Sequence, residues 1–259
     1  MPEKLGSLLF VTGTDTGVGK TTVAALLCSG VMKCGCTVHV SKPVETGCET
    51  DAQGRLSGKD GLVLWAASGK QQPLAQVAPY RFAPPVAPAA AAQAQQAVID
   101  IKLLQQTIHA ARENCDLLIV EGAGGLLVPI TPQYTYADLA RDISAVCLVV
   151  VGSRLGAINH ALLTFEVLRK REIPAMGYVL NEMSGAADAD SAERETGEPT
   201  ALSTNRVLLS RAAEAYGITE LCYVGHAEQS GGVLIGGNRQ WDAAQTLAAR
   251  VIEYFGLKG

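Results

Sequence analysis

A chain of 259 residues, 48% apolar and 18% charged, can bury a large α/β core and does not have the composition of a disordered segment. Its formal charge of −4 supplies no global field to attract nucleic acid or an anionic membrane, although local cationic sites can still bind small anions. No apolar run reaches the roughly 18–20 residues that cross a bilayer. The MPEKLGS start lacks the flanks of a signal peptide, so a cytoplasmic protein is expected.

Along the chain, SLLFVTG (7–13) predicts a short apolar strand, and a glycine-rich turn leads into KTTVAALLCSGVMKCG, whose apolar spacing is helical. TVHVSKP (37–43) is a second strand, stopped by proline. Residues 44–61 read as a long polar loop, followed by a short helix around GLVLWAASG, a proline-rich excursion through PLAQVAPYRFAPPVAPAAAA and a helix over roughly 98–113. CDLLIVEGAGG carries a buried strand bounded by glycines. SAVCLVVVGS (144–153) has the continuous β-branched run of a central parallel strand. AINHALLTFEVLRKREI is an amphipathic helix, PAMGYVLN a strand, ITELCYVG (218–225) a last strand, and Gln240 to Tyr254 a closing helix.

Strands alternating with helices predict an α/β fold with a mostly parallel central sheet, helices on both faces, and one domain spanning 1–259. The polar, aperiodic stretch 184–204 reads as a mobile surface insertion. The seven cysteines suit free thiols in a reducing compartment. The C-x-C pair Cys34 and Cys36 has no second close pair after it and reads as ordinary buried thiols rather than a zinc site.

The string GTDTGVGKT (Gly13 to Thr21) lies between the first strand and the first helix. In that position backbone N–H groups converge on an anion and the helix adds its positive end, so phosphate binding is expected. Lys20 can reach β- and γ-phosphates and Thr21 can ligate Mg²⁺. The string departs from G-x-x-x-x-G-K-[ST] because its first glycine, Gly13, stands one residue early. Glu121, at the end of its strand and followed by GAGG, faces the same crevice and reads as a metal ligand. Asp60 lies in the polar loop, where carboxylates are common. Lys42, at the second strand's end, is either a surface lysine or one that meets an anion, with the Thr46 hydroxyl nearby.

Taken in order, TGTDTGVGKT, KPVETG, GKDGL, VEGAGGLLVP, LGAINHALLTFEVLR and GYVLN resemble the dethiobiotin synthase family, over about residues 7 to 181. The early glycine is that family's own form of the loop. The resemblance implies a P-loop NTPase fold and an ATP- and Mg²⁺-dependent cyclo-ligase of biotin synthesis, forming C–N bonds. Its substrates would be 7,8-diaminononanoate and CO₂ or bicarbonate. Gly13, Thr14, Asp15, Thr16, Gly17, Val18, Gly19, Lys20, Thr21 and Thr22 would hold the nucleotide with Glu121, and Asn181 would read its adenine. Thr21, Asp60 and Glu121 would ligate Mg²⁺. Lys20, Lys42, Thr16 and Thr46 would act on the carbamate and phosphate. Thr46, Gly122, Ala123, Gly124 and Gly125 would lie along the substrate. Gly156, Ala157, Ile158 and Asn159 would bind its carboxylate from a neighbouring subunit, which implies a homodimer. After the last strand the family carries a segment like G-x-I-P-x-L, where this chain reads YVGHAEQ (223–229). Two alternatives share the scaffold. An amidoligase of the cobyrinate-diamide type would need an appended glutaminase domain, which no segment here supplies. A partitioning-type switch ATPase would need a second lysine early in the loop, where this chain has Thr14, Asp15 and Thr16.

Overall fold

In a computed structural model of the chain, residues 5–52, 54–182, 201–225 and 238–258 are described. Strands β1 (Ser7–Gly13), β2 (Val38–Ser41), β7 (Leu117–Glu121), β10 (Val146–Ser153), β11 (Ala175–Glu182) and β12 (Glu220–Val224) form one six-stranded sheet in the order β12-β11-β10-β1-β7-β2. Every pairing in it is parallel. Three small pairs lie outside it: β3 (Val44–Thr46) with β6 (Tyr80–Phe82), β4 (Glu49–Thr50) with β5 (Leu56–Ser57), and β8 (Pro129–Thr131) with β9 (Tyr134–Thr135).

Side chains alternate across a strand, so β1 sends Leu8 and Phe10 to one core and Leu9 and Val11 to the other. The second core is closed by α1 (Lys20–Lys33), α2 (Lys59–Ala67) and the last described helix, Asn238–Phe255. The first is closed by α4 (Pro88–Ala94), α5 (Ile101–Ala111), α6 (Tyr136–Asp142), α7 (Ala157–Lys170) and α8 (Ala201–Ala213), while α3 (Leu74–Val77) is a single turn on the α2 side. Helices on both faces explain why β7 and β10 are apolar almost throughout.

Several expectations change. Residues 44–61 are not one loop: they contain β3, the β4–β5 pair and the first turn of α2, so Asp60 sits at a helix start. The proline-rich excursion contains α3, β6 and α4, the last begun by Pro88 in the first helical turn, where a missing N–H costs nothing. Residues 201–204 belong to α8 rather than to an insertion. The rest of that stretch (184–200), and 226–229 of the YVGHAEQ segment, lie outside the described residues. Six of the seven thiols are buried, whereas Cys34 is exposed at the end of α1. Among the described residues no helix is long and apolar enough to cross a membrane.

The start of α6 shows how a local motif holds an element. The Thr135 side chain accepts from the Asp138 N–H at 3.3 Å and Asp138 accepts in return from the Thr135 N–H at 2.9 Å, a capping box. Arg171 adds an ion pair to Asp138 at 2.5 Å. Burial pushes the Asp138 carboxyl up, but the Thr135 hydroxyl and N–H, Arg171 and Arg141 outweigh it and leave the group below the usual aspartate value of 3.8. A depressed folded value means stability that is present above the unfolded value and lost as pH falls through the folded one. We expect Asp138→Asn to cost about 1–2 kcal/mol at pH 7. Urea midpoints of both proteins should converge as the pH drops below the ordinary aspartate value; a gap that persists in acid would show that the charge is not what matters.

Candidate active site

The carboxyl ends of β1, β2, β7 and β11 share one edge of the sheet, and β1 lies where the strand order switches direction, the place where open α/β sheets bind ligands. At that edge β1 runs into the loop and then α1. The loop turns through left-handed backbone at Gly17 (φ 75°) and Gly19 (φ 89°), and Gly19 is the N-cap of α1 with no side-chain cap. The helix's first N–H groups are therefore left for an anion. A methyl group at Gly19 would collide with the amide nitrogen of Asn181, which comes from the end of β11 and donates to Val18 O at 2.9 Å. Asn181 thus holds the loop from beneath, buried. Arg154 pairs with Asp15 on the outer side of the loop.

Around this loop opens a cavity of about 1010 Å³. Thr16, Gly17, Gly19, Lys20, Thr21 and Thr22 form one wall. Lys42, Glu45, Thr46, Asp60 and Glu121 converge on it, with Ala123 and Gly124 beside them, and Leu62, Val63 and the Pro85–Pro88 segment form an apolar side. Gly124 (φ 64°) lets the loop after β7 approach Thr16: a Cβ there would stand 3.3 Å from the Thr16 hydroxyl and 2.8 Å from Val128. Of the expected site residues, Gly13, Thr14, Asp15, Val18, Gly122, Gly125 and Asn181 are not among its lining residues. The Gly156–Asn159 helix start is not among its lining residues either, and Gly156 adopts left-handed backbone with φ 88°.

Lys42 is 2% exposed, with its ammonium 2.5 Å from Glu121 Oε1 and 2.8 Å from Asp60 Oδ2. Burial disfavours that charge, but Glu121 and Asp60 more than restore it, so Lys42 is held protonated well above the ordinary lysine value. Asp60, half-exposed, is lifted by burial and pulled lower overall by Lys42 and by the Thr21 hydroxyl. Glu121 recovers less from its single ammonium than burial costs it and stays above the usual carboxylate range. The Lys42 ammonium stays charged because two carboxylates face one cation. Lys20, whose ammonium donates to Asp15 O at 3.0 Å, is brought down to about 8 by burial and by Lys42 nearby.

Thr21 donates to Glu121 Oε1 at 2.9 Å, while Glu121 Oε2 is buried with no hydrogen-bond partner among the described residues. Thr21, Asp60 and Glu121 thus present hydroxyl and carboxylate oxygens at one point, with an acceptor left over. That donor set suits a small hard cation such as Mg²⁺.

Beyond the apolar side, the sequence does not single out the polar lining residues Glu45, Lys59 and Gln240. Glu45 carries a carboxylate that is 4% exposed, and Gln240, from the last helix, is buried with its Oε1 unpartnered among the described residues. Glu45 stands inside the KPVETG motif between Lys42 and Thr46, but its role depends on α2 packing against it, and Gln240 reaches the cavity only through packing.

Strand, glycine-rich loop and helix in this order, beside an acidic strand end at the switch point of a parallel sheet, place the protein among the P-loop NTPases. Solved structures agree on the fold. The MinC:MinD cell division complex of Aquifex aeolicus matches with TM-score 0.58 at 13% identity, covering 96% of each chain. A putative plasmid partition protein from Borrelia burgdorferi, bound to AMPPNP, matches with TM-score 0.55 at 9% identity, covering 97% of this chain and 100% of that one. Residues 7–208 match the family described as AAA domain (AAA_26). The ATP-dependent dethiobiotin synthetase of Anaeromyxobacter dehalogenans strain 2CP-C is 40% identical over 218 residues, covering 81% of this chain and 95% of the relative. That of Nitrosospira multiformis is 40% identical over 179 residues, covering 69% and 77%. The chain belongs to the dethiobiotin synthetase family, a family of ligases.

Proposed function

We propose that the protein closes the ureido ring of dethiobiotin from 7,8-diaminononanoate and CO₂, at the expense of ATP and with Mg²⁺. The observation that carries this reading is the convergence of Lys20, Lys42 and the Thr21, Asp60 and Glu121 oxygens on one cavity beside the phosphate loop. One amine captures CO₂ as a carbamate. A carbamate oxygen attacks the γ-phosphorus and ADP leaves. The second amine then attacks the carbonyl carbon of the mixed anhydride and expels phosphate. Each stage gathers negative charge between two fixed ammonium groups, so catalysis is positioning plus electrostatic stabilisation.

In this reading the loop N–H groups and Lys20 hold the triphosphate, and Lys42 faces the carbamate. Thr16 and Thr46 orient carbamate and phosphate, and Ala123 with Gly124 flanks the reacting end. Thr21, Asp60 and Glu121 hold Mg²⁺, which would neutralise phosphate charge. With its Nδ2 engaged by Val18, Asn181 keeps Oδ1 to accept from the adenine amine. The substrate carboxylate lies at the Gly156–Asn159 helix start of a second subunit, in a cytoplasmic homodimer. The exposed Leu155 and Leu163 on that segment and helix support a subunit contact there.

Phosphate release from ATP should require both the diamine and bicarbonate. ATP turnover that ignores the diamine and rises with DNA or lipid vesicles would instead support the partition-type reading, whose fold this chain shares at low identity.

A further inference from the structure

We infer that Glu45 is a positioning residue that sets the proposed Mg²⁺ ligand Asp60 in place from the neighbouring strand, an inference that rests on the metal reading above. Helix α2 begins at Lys59 with Gly58 as its N-cap, and Gly58 has no side chain to satisfy the first N–H groups. Glu45 does so from across the cavity wall. Its Oε1 accepts from the Asp60 N–H at 2.7 Å and its Oε2 from the Gly61 N–H at 3.1 Å. A carboxylate at this end also meets the helix's positive pole.

The fit is two-sided. A methyl group at residue 58 would collide with the Glu45 carboxylate, and one at residue 61 would stand 2.9 Å from Oε2. The two glycines of Gly58-Lys59-Asp60-Gly61 therefore form a slot for one particular acid side chain. That acid lies on β3, three residues after Lys42. The result is a common reference for both partners of the 2.8 Å Lys42–Asp60 pair: Lys42 is fixed by the end of β2, and the Asp60 backbone is fixed by the strand that follows. A serine or aspartate cap at residue 58 would hold the helix start equally well but would not tie it to Lys42. The half-exposed Asp60 carboxylate is held by the Lys42 ammonium, while its backbone N–H is held by Glu45, so the two contacts restrain different parts of the residue.

The test compares the wild-type protein with Glu45→Ala, Glu45→Gln and Gly58→Ala. Three quantities are measured: ATP affinity by calorimetry in EDTA, the Mg²⁺ concentration that half-saturates tight ATP binding, and the thermal midpoint. We expect Glu45→Ala to raise the half-saturating Mg²⁺ about tenfold, the usual effect of removing a group that orients a metal ligand. Affinity in EDTA should stay within about twofold, because the phosphate loop is untouched. Glu45→Gln keeps one acceptor of the same shape and should fall between, while Gly58→Ala, which evicts the carboxylate, should resemble Glu45→Ala. A lower thermal midpoint with unchanged Mg²⁺ half-saturation would overturn the proposal and leave Glu45 as a helix cap alone. An equal loss of affinity with and without Mg²⁺ would overturn it too. If wild-type ATP binding is indifferent to Mg²⁺, the metal reading itself fails, and this inference with it.

Discussion

Lys42→Ala should lower turnover by about two to three orders of magnitude, the usual cost of removing one preorganised group that stabilises developing charge in a water-poor site. Lys42 is buried between Glu121 and Asp60, and its ammonium also reaches Gly122 O at 3.3 Å. From sequence alone, the substitution is expected to spare the fold. The observed burial changes that expectation. Removing the cation leaves Glu121 wholly buried beside a second carboxylate, a situation that costs about 3–5 kcal/mol when a buried pair is broken. The lower end applies, because Asp60 is half-exposed and can turn to solvent. Initial rates of phosphate release with saturating diamine and bicarbonate, beside urea unfolding of the same variant, separate the two effects. A near-normal rate would remove Lys42 from the chemistry, whatever happened to stability.

Gly19→Ala should weaken ATP binding by about a hundredfold, equivalent to roughly 3 kcal/mol. Two costs combine. Left-handed backbone at φ 89° costs a non-glycine residue about 1–2 kcal/mol. The added methyl also meets the Asn181 amide that holds Val18, so either the loop or the amide must shift. The costs can be told apart with Asn181→Ala. In that background the collision disappears and only the backbone strain remains, so the two substitutions should be non-additive, as contacting residues are. Calorimetric affinities for the four proteins of the cycle measure this coupling. Strict additivity would mean that the loop does not rest on Asn181 when nucleotide is bound.

The elements that could be read from sequence are those whose hydrophobic pattern exceeds one full repeat. β1, β7, β10 and β11, with α1 and α7, lie where apolar runs or helical spacing place them, and the strand–loop–helix order they form is the one from which phosphate binding is expected. The elements that were not foreseen are short. The two- and three-residue strands of 44–57 are too brief to show alternation; α2 is legible as a short helix around GLVLWAASG, but its start at Lys59 is not, because Glu45 caps it from elsewhere. Helix α6 did carry a signal, the Thr135-x-x-Asp138 capping box, but it covers only seven residues. Helix α4 had its own in Pro88 ahead of four alanines, hidden among other prolines.

The same division runs through the site. Loop, lysine and threonine are contiguous in the chain, and their chemistry follows from a local geometry that a strand and a helix impose, so sequence by itself determined the strand–loop–helix unit suited to an anion and in which family to look. It did not determine the state of Lys42, left open between surface and crevice, nor the place of Asp60, nor that Asn181 braces Gly19 from below. Those depend on which strands become neighbours: β7 and β2 pair, bringing Glu121 beside Lys42, and β11 reaches the loop through β10. Charge state and support are set by burial and by partners 16 to 163 residues away in the chain, and only the folded sheet brings those partners within hydrogen-bonding distance.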